Sequence, residues 1–182
     1  MANILIINGS PIAPSRTGAL MGYCADFIQR QWHTTTTVRI DVRELDPVEL
    51  THGRFDGGSI MAAAALVGEA EGIILGTPVY KNSFAGVLKA FLDILPQGAF
   101  SGKVVLPIVL GGAAAHALAI DYALLPVFAA LNAYHTLHGV FLIENQVELL
   151  DGRLSSFTAP EAEHRIDAAL EQFILAVRRT RI

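Results

Sequence analysis

The run Gly9-Ser10-Pro11-Ile12-Ala13-Pro14-Ser15-Arg16-Thr17-Gly18 lies between an apolar segment and an amphipathic one, and it gathers the groups an anion needs. Ser10, Ser15 and Thr17 carry short hydroxyls, Arg16 carries a guanidinium, and Gly9 lets the backbone approach closely. At the start of a helix these join backbone N–H groups and the positive end of the dipole, which together make a phosphate site. A plainer reading also stands, in which Ser15 caps the helix of an ordinary turn. Neither G-x-G-x-x-G nor Gly-Lys-Ser/Thr occurs, so a dinucleotide fingerprint and a P-loop are both excluded.

Two further loops carry suitable residues. In Thr77-Pro78-Val79-Tyr80-Lys81-Asn82-Ser83, the side chains of Pro78, Val79 and Tyr80 suit a flat, partly apolar wall for a planar ring such as a flavin, with Thr77 bonding at strand level. Alternatively Pro78 ends a strand and Tyr80 packs on the surface; Ser83 is expected to start the next helix. In Gly111-Gly112-Ala113-Ala114-Ala115-His116, the glycines allow N–H groups to face a ligand and stabilise negative charge, or else serve a tight turn that needs positive φ. His116 reads as a helix-start or interface histidine beside that ligand position. Cys24 shares a stripe with Leu20, Phe27 and Ile28 and belongs to the core. The six histidines lack metal spacing, so no metal is expected, and no catalytic acid, base or nucleophile is assigned. Arg178, Arg179 and Arg181 read as a solvated tail.

The elements that must position these loops alternate along the chain. Strands are expected at residues 3–8, 37–42, 72–76, 104–110 and 137–143. Helices are expected over the stripe Leu20, Cys24, Phe27 and Ile28, and over residues 59–69, 83–95, 114–131 and 161–179. Such alternation implies a parallel sheet covered on both faces. Five strands favour the flavodoxin-like order 2-1-3-4-5, whose ligands sit at the carboxyl ends of the first, third and fourth strands, where all three loops fall. The whole chain, residues 1–182, reads as one domain.

Composition narrows the partners. A 52% hydrophobic content raises the question of a membrane, but residues 104–120 are broken by Pro107, Gly111, Gly112 and His116. Residues 122–143 are broken by Pro126, Asn132, His135, Thr136 and His138, so neither run is a spanning helix. The net charge of −4 gives no reason to expect nucleic acid or anionic lipid. A single cysteine and a start without a basic leader suit a cytoplasmic protein.

With these residues assembled, the chain resembles the NADPH-dependent FMN reductase family, nearest to the flavin reductase components of two-component alkanesulfonate or methanesulfonate monooxygenases. The resemblance rests on Gly9-Ser10-Pro11 with Ser15-Arg16, on Thr77-Pro78-Val79-Tyr80-Lys81, on Gly86-x-Leu88-Lys89 and on Gly102-Lys-Val-Val-Leu-Pro107. Gly111-Gly112 with His116, Asp121-Tyr122 and Leu137-His-Gly-Val-Phe141 add to it. Gly76 stands where alanine is frequent. The resemblance implies FMN binding, hydride transfer from NADPH or NADH, and delivery of reduced flavin to a separate monooxygenase in organosulfonate assimilation. Two alternatives stay open: tightly bound FMN reducing a quinone, azo compound or metal ion, and a non-enzymatic electron carrier.

Two expectations concern residues 83–131. Ala85, Ala90 and Ile94 make the first helix apolar on its outer side, and the second is apolar nearly all round, which together with the resemblance implies a homodimer or homotetramer. Pro126 has no N–H for the Tyr122 carbonyl, so the second helix must kink or widen into a π-bulge there. Such a distortion carries Tyr122 toward a subunit interface and flavin release, or leaves it merely packed there.

Overall fold

The computed structural model describes residues 2–180, so Arg181 of the expected tail lies outside the described residues. β1 (Ala2–Asn8) is central, and Ile4, Leu5, Ile6 and Ile7 are all buried because both its faces are covered. It pairs in parallel with β2 (Thr35–Asp41) on one side and β3 (Gly72–Tyr80) on the other, and β3 pairs with β5 (Val104–Gly111). Beyond β5 lie two pieces, β6 (His135–Thr136) and β7 (Val140–Ile143), both parallel to it. The five positions follow the expected order 2-1-3-4-5.

The fifth strand is split where the sequence predicts one run, and Pro107 gives the reason. The Leu137 N–H donates to the Val105 carbonyl at 2.9 Å, so Val105 turns its backbone groups toward the fifth strand. Pro107, two residues on, turns the same way but has no N–H to offer, and pairing resumes only at Ile108 and Val140.

Side chains alternate across the sheet into two cores. Ile4, Ile6, Ile74, Leu106 and Ile108 pack with Leu20, Cys24 and Phe27 of α1 (Arg16–Gln31) and Ile166, Leu170 and Phe173 of α6 (Pro160–Thr180). Leu5, Ile7, Leu75, Val105 and Val109 pack with the opposite layer. That layer comprises short α2 (Pro47–Thr51), α3 (Gly58–Glu69), α4 (Gly86–Asp93) and α5 (Leu125–Ala130). Among the described residues no helix is long and apolar enough to cross a membrane.

Three segments depart from expectation. Ser83 does not begin a helix: Ser83–Phe84 form β4, antiparallel to the end of β3 across a two-residue turn in which Lys81 and Asn82 have φ of 51° and 61°. The helix starts only at Gly86, and Ala85 and Ile94 are buried within their own chain, so this helix supplies less of an outer apolar face than its sequence suggests. Residues 114–131 form no continuous helix; they run as a 3-10 turn (Ala114–Ala117), a π-helical turn (Ile120–Leu124) and α5. Between β7 and α6 lies an unanticipated hairpin, β8 (Val147–Leu150) and β9 (Arg153–Phe157), turning on Asp151 and Gly152 at φ of 51° and 76°. In the basic tail, Arg178 is not simply solvated, since its guanidinium lies 4.8 Å from the centre of the Trp32 ring.

Candidate functional site

The carboxyl ends of β1, β3, β5 and β7 enclose a cleft of about 140 Å³. Ser10, Ile12, Pro14, Ser15, Arg16 and Thr17 form one wall; Pro78 and Tyr80 enter from β3, and Leu110 from β5. Glu144, just after β7, and Leu149 of the hairpin close the remaining side. A wider concavity of about 770 Å³ lies at the outer sheet edge between Leu137, Phe141 and Ala169. It contains none of the loop from Gly9 to Gly18.

The loop after β1 is held by its own polar groups. Asn8 ends the apolar strand with a buried amide: its Nδ2 donates to Asp41 Oδ1 at 2.5 Å, and its Oδ1 accepts from the Ser10 N–H at 3.2 Å. Arg39 grips Asp41 through Nε and Nη2 at 2.7 and 2.6 Å and donates from Nη1 to the Gly18 carbonyl at 3.1 Å. Burial pushes the Asp41 carboxyl upward, but the hydrogen bonds from Arg39 and Asn8, with the charges of Arg39 and Arg43, outweigh it and hold the group below its ordinary value. Arg39 and Asp41 are two apart on β2 and so share a face, a pattern visible in the sequence and missed because β2 was not linked to the loop.

Several expected contacts take internal roles. Gly9 serves close packing with its own chain rather than with a ligand: its N–H donates to the Gly76 carbonyl at 2.8 Å, and a Cβ there would lie 2.8 Å from Leu88 Cδ2. The Ser10 hydroxyl is buried and donates to the Ile12 carbonyl at 3.1 Å, knitting the turn. Ser15 Oγ accepts from the Gly18 N–H at 2.9 Å, the plain cap considered above. Ala19 N–H is already bonded to the Ser15 carbonyl, which leaves the N–H groups of Arg16 and Thr17 as uncapped donors.

What remains facing the cleft fits a phosphate monoester. Besides the two free N–H groups, the Thr17 hydroxyl has no hydrogen bond among the described residues. The Arg16 guanidinium is exposed and, among the described residues, fixed only through Nε on the Val147 carbonyl at 3.0 Å. All lie at the positive end of a 16-residue helix.

The second loop is split between wall and core. Pro78 and Tyr80 line the cleft. Val79 turns into the α4-side core, and Thr77 is wholly buried, accepting from the Ala85 N–H at 3.1 Å and donating to the Pro78 carbonyl at 3.0 Å. Thr77 therefore shapes the Pro78–Tyr80 wall from behind. In the third loop neither glycine has positive φ, so the tight-turn explanation fails. Gly111 is required because a Cβ would lie 2.8 Å from the Cβ of His116, which folds back on it, whereas Gly112 faces open space. Among the described residues His116 Nδ1 is buried without a hydrogen-bond partner, and of this strand end only Leu110 lines the cleft. Tyr122 is 79% exposed on the π turn, away from the lining residues. Glu144, Leu149 and their hairpin escaped the sequence reading, although Asp151-Gly152 between alternating residues is a strong hairpin signal.

A doubly wound parallel sheet with a polar cleft at the carboxyl ends of its strands defines a flavodoxin-like α/β protein. The chain belongs to the NADPH-dependent FMN reductase family, whose model matches residues 2–148. It is 40% identical over 176 residues to the FMN reductase (NADPH) of Pseudomonas putida, covering 97% of this chain and 88% of that one. To the Escherichia coli FMN reductase (NADPH) it is 38% identical over 176 residues, with 97% and 90% covered. The apo crystal structure of the NADH:FMN oxidoreductase EmoB matches with a TM-score of 0.86 at 33% identity, over 97% of this chain and 90% of that one. The protein is thus an oxidoreductase that uses FMN with NADPH or NADH.

Proposed function

We propose that the cleft holds FMN as an exchangeable substrate, its phosphate on the N-terminus of α1 and its ring system beside Pro78 and Tyr80. The observation that carries this reading is the pair of uncapped N–H groups of Arg16 and Thr17 beside the Thr17 hydroxyl and a guanidinium anchored through Nε alone. When bound, FMN accepts the hydride that NADPH or NADH supplies, and this chemistry needs no acid or base from the chain. The residues bind and orient: Arg16 and Thr17 fix the phosphate, while Thr77, tied to Ala85, keeps the Pro78–Tyr80 wall in place.

The reading extends to a single-domain cytoplasmic enzyme, acting as a homodimer or homotetramer, that passes reduced FMN to a separate flavin-dependent monooxygenase in organosulfonate assimilation. The resemblance in the three loops supports the partner. Exposed Leu118 and Tyr122, at 57% and 79%, support assembly through residues 114–130.

Titrating FMN and riboflavin into wild type and Arg16→Ala tests the site. The variant should weaken FMN by about 1.5–3 kcal/mol, the range for hydrogen bonds to charged groups, and leave riboflavin almost unchanged. Equal losses for both flavins would place the phosphate elsewhere.

A further inference from the structure

The cleft that receives the phosphate also contains a carboxylate. Glu144 opens the short turn after β7, and it lines the cleft together with Ser10, Arg16 and Thr17. Among the described residues it makes neither an ion pair nor a side-chain hydrogen bond, and Arg16 forms no ion pair either. The two are nonetheless linked through the backbone: Arg16 Nε is fixed on the carbonyl of Val147, three residues beyond Glu144. A site built only for tight anion capture gains nothing from an unneutralised carboxylate in its wall, because like charge in the same cleft disfavours a bound dianion.

We infer that Glu144 is a specificity-determining residue that lowers the affinity of this cleft for the FMN phosphate and so keeps FMN exchangeable. The inference rests on the placement of FMN proposed above. In the free protein the Glu144 carboxylate balances the guanidinium of Arg16 across the cleft. In the complex it opposes the phosphate, and departure of the flavin relieves that repulsion. Flavins without phosphate do not feel the effect, so Glu144 narrows the preference for FMN over riboflavin without contributing to ring binding.

The test is equilibrium titration of FMN and riboflavin into wild type, Glu144→Gln, Glu144→Asp and Arg16→Ala at low and at moderate salt. Glu144→Gln should tighten FMN roughly three- to thirtyfold, more at low salt, as expected for like charges at the mouth of a solvated cleft. Riboflavin should be unchanged, FMN release should slow by a similar factor, and Glu144→Asp should restore the wild-type ratio. Weaker binding of both flavins by Glu144→Gln would overturn the inference, because the carboxylate would then be accepting from the shared ribityl hydroxyls. An unchanged FMN-to-riboflavin ratio in Glu144→Gln, with Arg16→Ala still selective against FMN, would overturn it while leaving the phosphate site standing. If neither variant alters the ratio, the phosphate is not in this cleft, and both readings fail together.

Discussion

Between Asn8 and Gly18 the backbone is held by a chain of polar contacts that runs from Gly18 through Arg39 and Asp41 to Asn8 and Ser10. Between Gly112 and Leu125 the chain passes from a 3-10 turn to a π turn, four consecutive residues from Gly112 to Ala115 are exposed, and His116 Nδ1 is left without a partner. Both segments follow central strands of one sheet, so their difference does not come from the scaffold. It comes from whether the strand before them ends in a residue that can reach a neighbouring strand: Asn8 reaches β2, while β5 ends in glycine. The first segment therefore presents preorganised N–H donors at the start of α1. The second has no comparable network of side-chain bonds among the described residues.

Glycine substitutions should expose that contrast most strongly. Gly9→Ala forces a Cβ to within 2.8 Å of Leu88 Cδ2 and 3.0 Å of the Gly76 carbonyl. Overpacking of this kind should cost about 1–3 kcal/mol of stability and displace the loop enough to weaken FMN. Gly112→Ala meets nothing within 4 Å and should change stability by no more than about 0.5 kcal/mol. Denaturant unfolding of both variants measures the gap, and equal costs would show that the two loops are packed alike.

Gly76 sharpens the same point within the site. Alanine is frequent there in the family the chain resembles, yet a Cβ would meet Met21 Sδ at 2.5 Å. Gly76→Ala alone should lose about 1–2 kcal/mol, the lower part of the overpacking range; Met21→Ala, which empties a fully buried position, should lose about 2–5 kcal/mol, and the double variant should lose less than the sum of the two. Additive losses in the double variant would mean that Met21 is not what excludes the methyl group.

Acid should loosen the first segment before the second. The Asp41 carboxyl sits below its ordinary value of 3.8, so its contribution to stability is complete above that pH and is lost as pH falls through the lowered value. Because the group is partly exposed, solvent screening limits the contribution to about 1 kcal/mol or less. Melting temperatures of wild type and Asp41→Asn should differ at pH 6 and converge only in acid below the lowered value. A difference that persists after the carboxyl is protonated would show that its charge is not what stabilises the network.

Much of this arrangement was legible in the residue pattern, and the parts that were not share a cause. The alternation of five strands with helices favours the order 2-1-3-4-5, and the three loops then fall at one end of the sheet by topology. The π turn was legible from one atom, the N–H that Pro126 lacks. By contrast, the internal use of the Ser10 and Thr77 hydroxyls depends on which backbone groups the tertiary fold leaves unpaired nearby. Glu144 is not legible in the sequence because nothing in the residue pattern makes its loop a neighbour of α1; that proximity exists only once β8 and β9 fold back beside the loop after β1.

Tyr122 tests the second segment with the smallest expected effect on stability. With no N–H at Pro126, the helix closes instead through the Leu125 N–H to the Ile120 carbonyl, five residues back. The wider turn carries Tyr122 out to 79% exposure beside Leu118, so removing its ring vacates no core position, and stability should shift by less than about 0.5 kcal/mol. The consequence expected is functional. If the π turn keeps the site loose through a subunit contact made by this ring, Tyr122→Ala should relax that contact and retain flavin. The protein should then purify yellow, turn over less NADPH with added FMN, and show a smaller mass by light scattering. Absorbance at purification, steady-state turnover and mass separate the parts of this claim. A colourless variant of unchanged mass and turnover would make Tyr122 a surface residue only and confine control of flavin exchange to the phosphate end of the cleft.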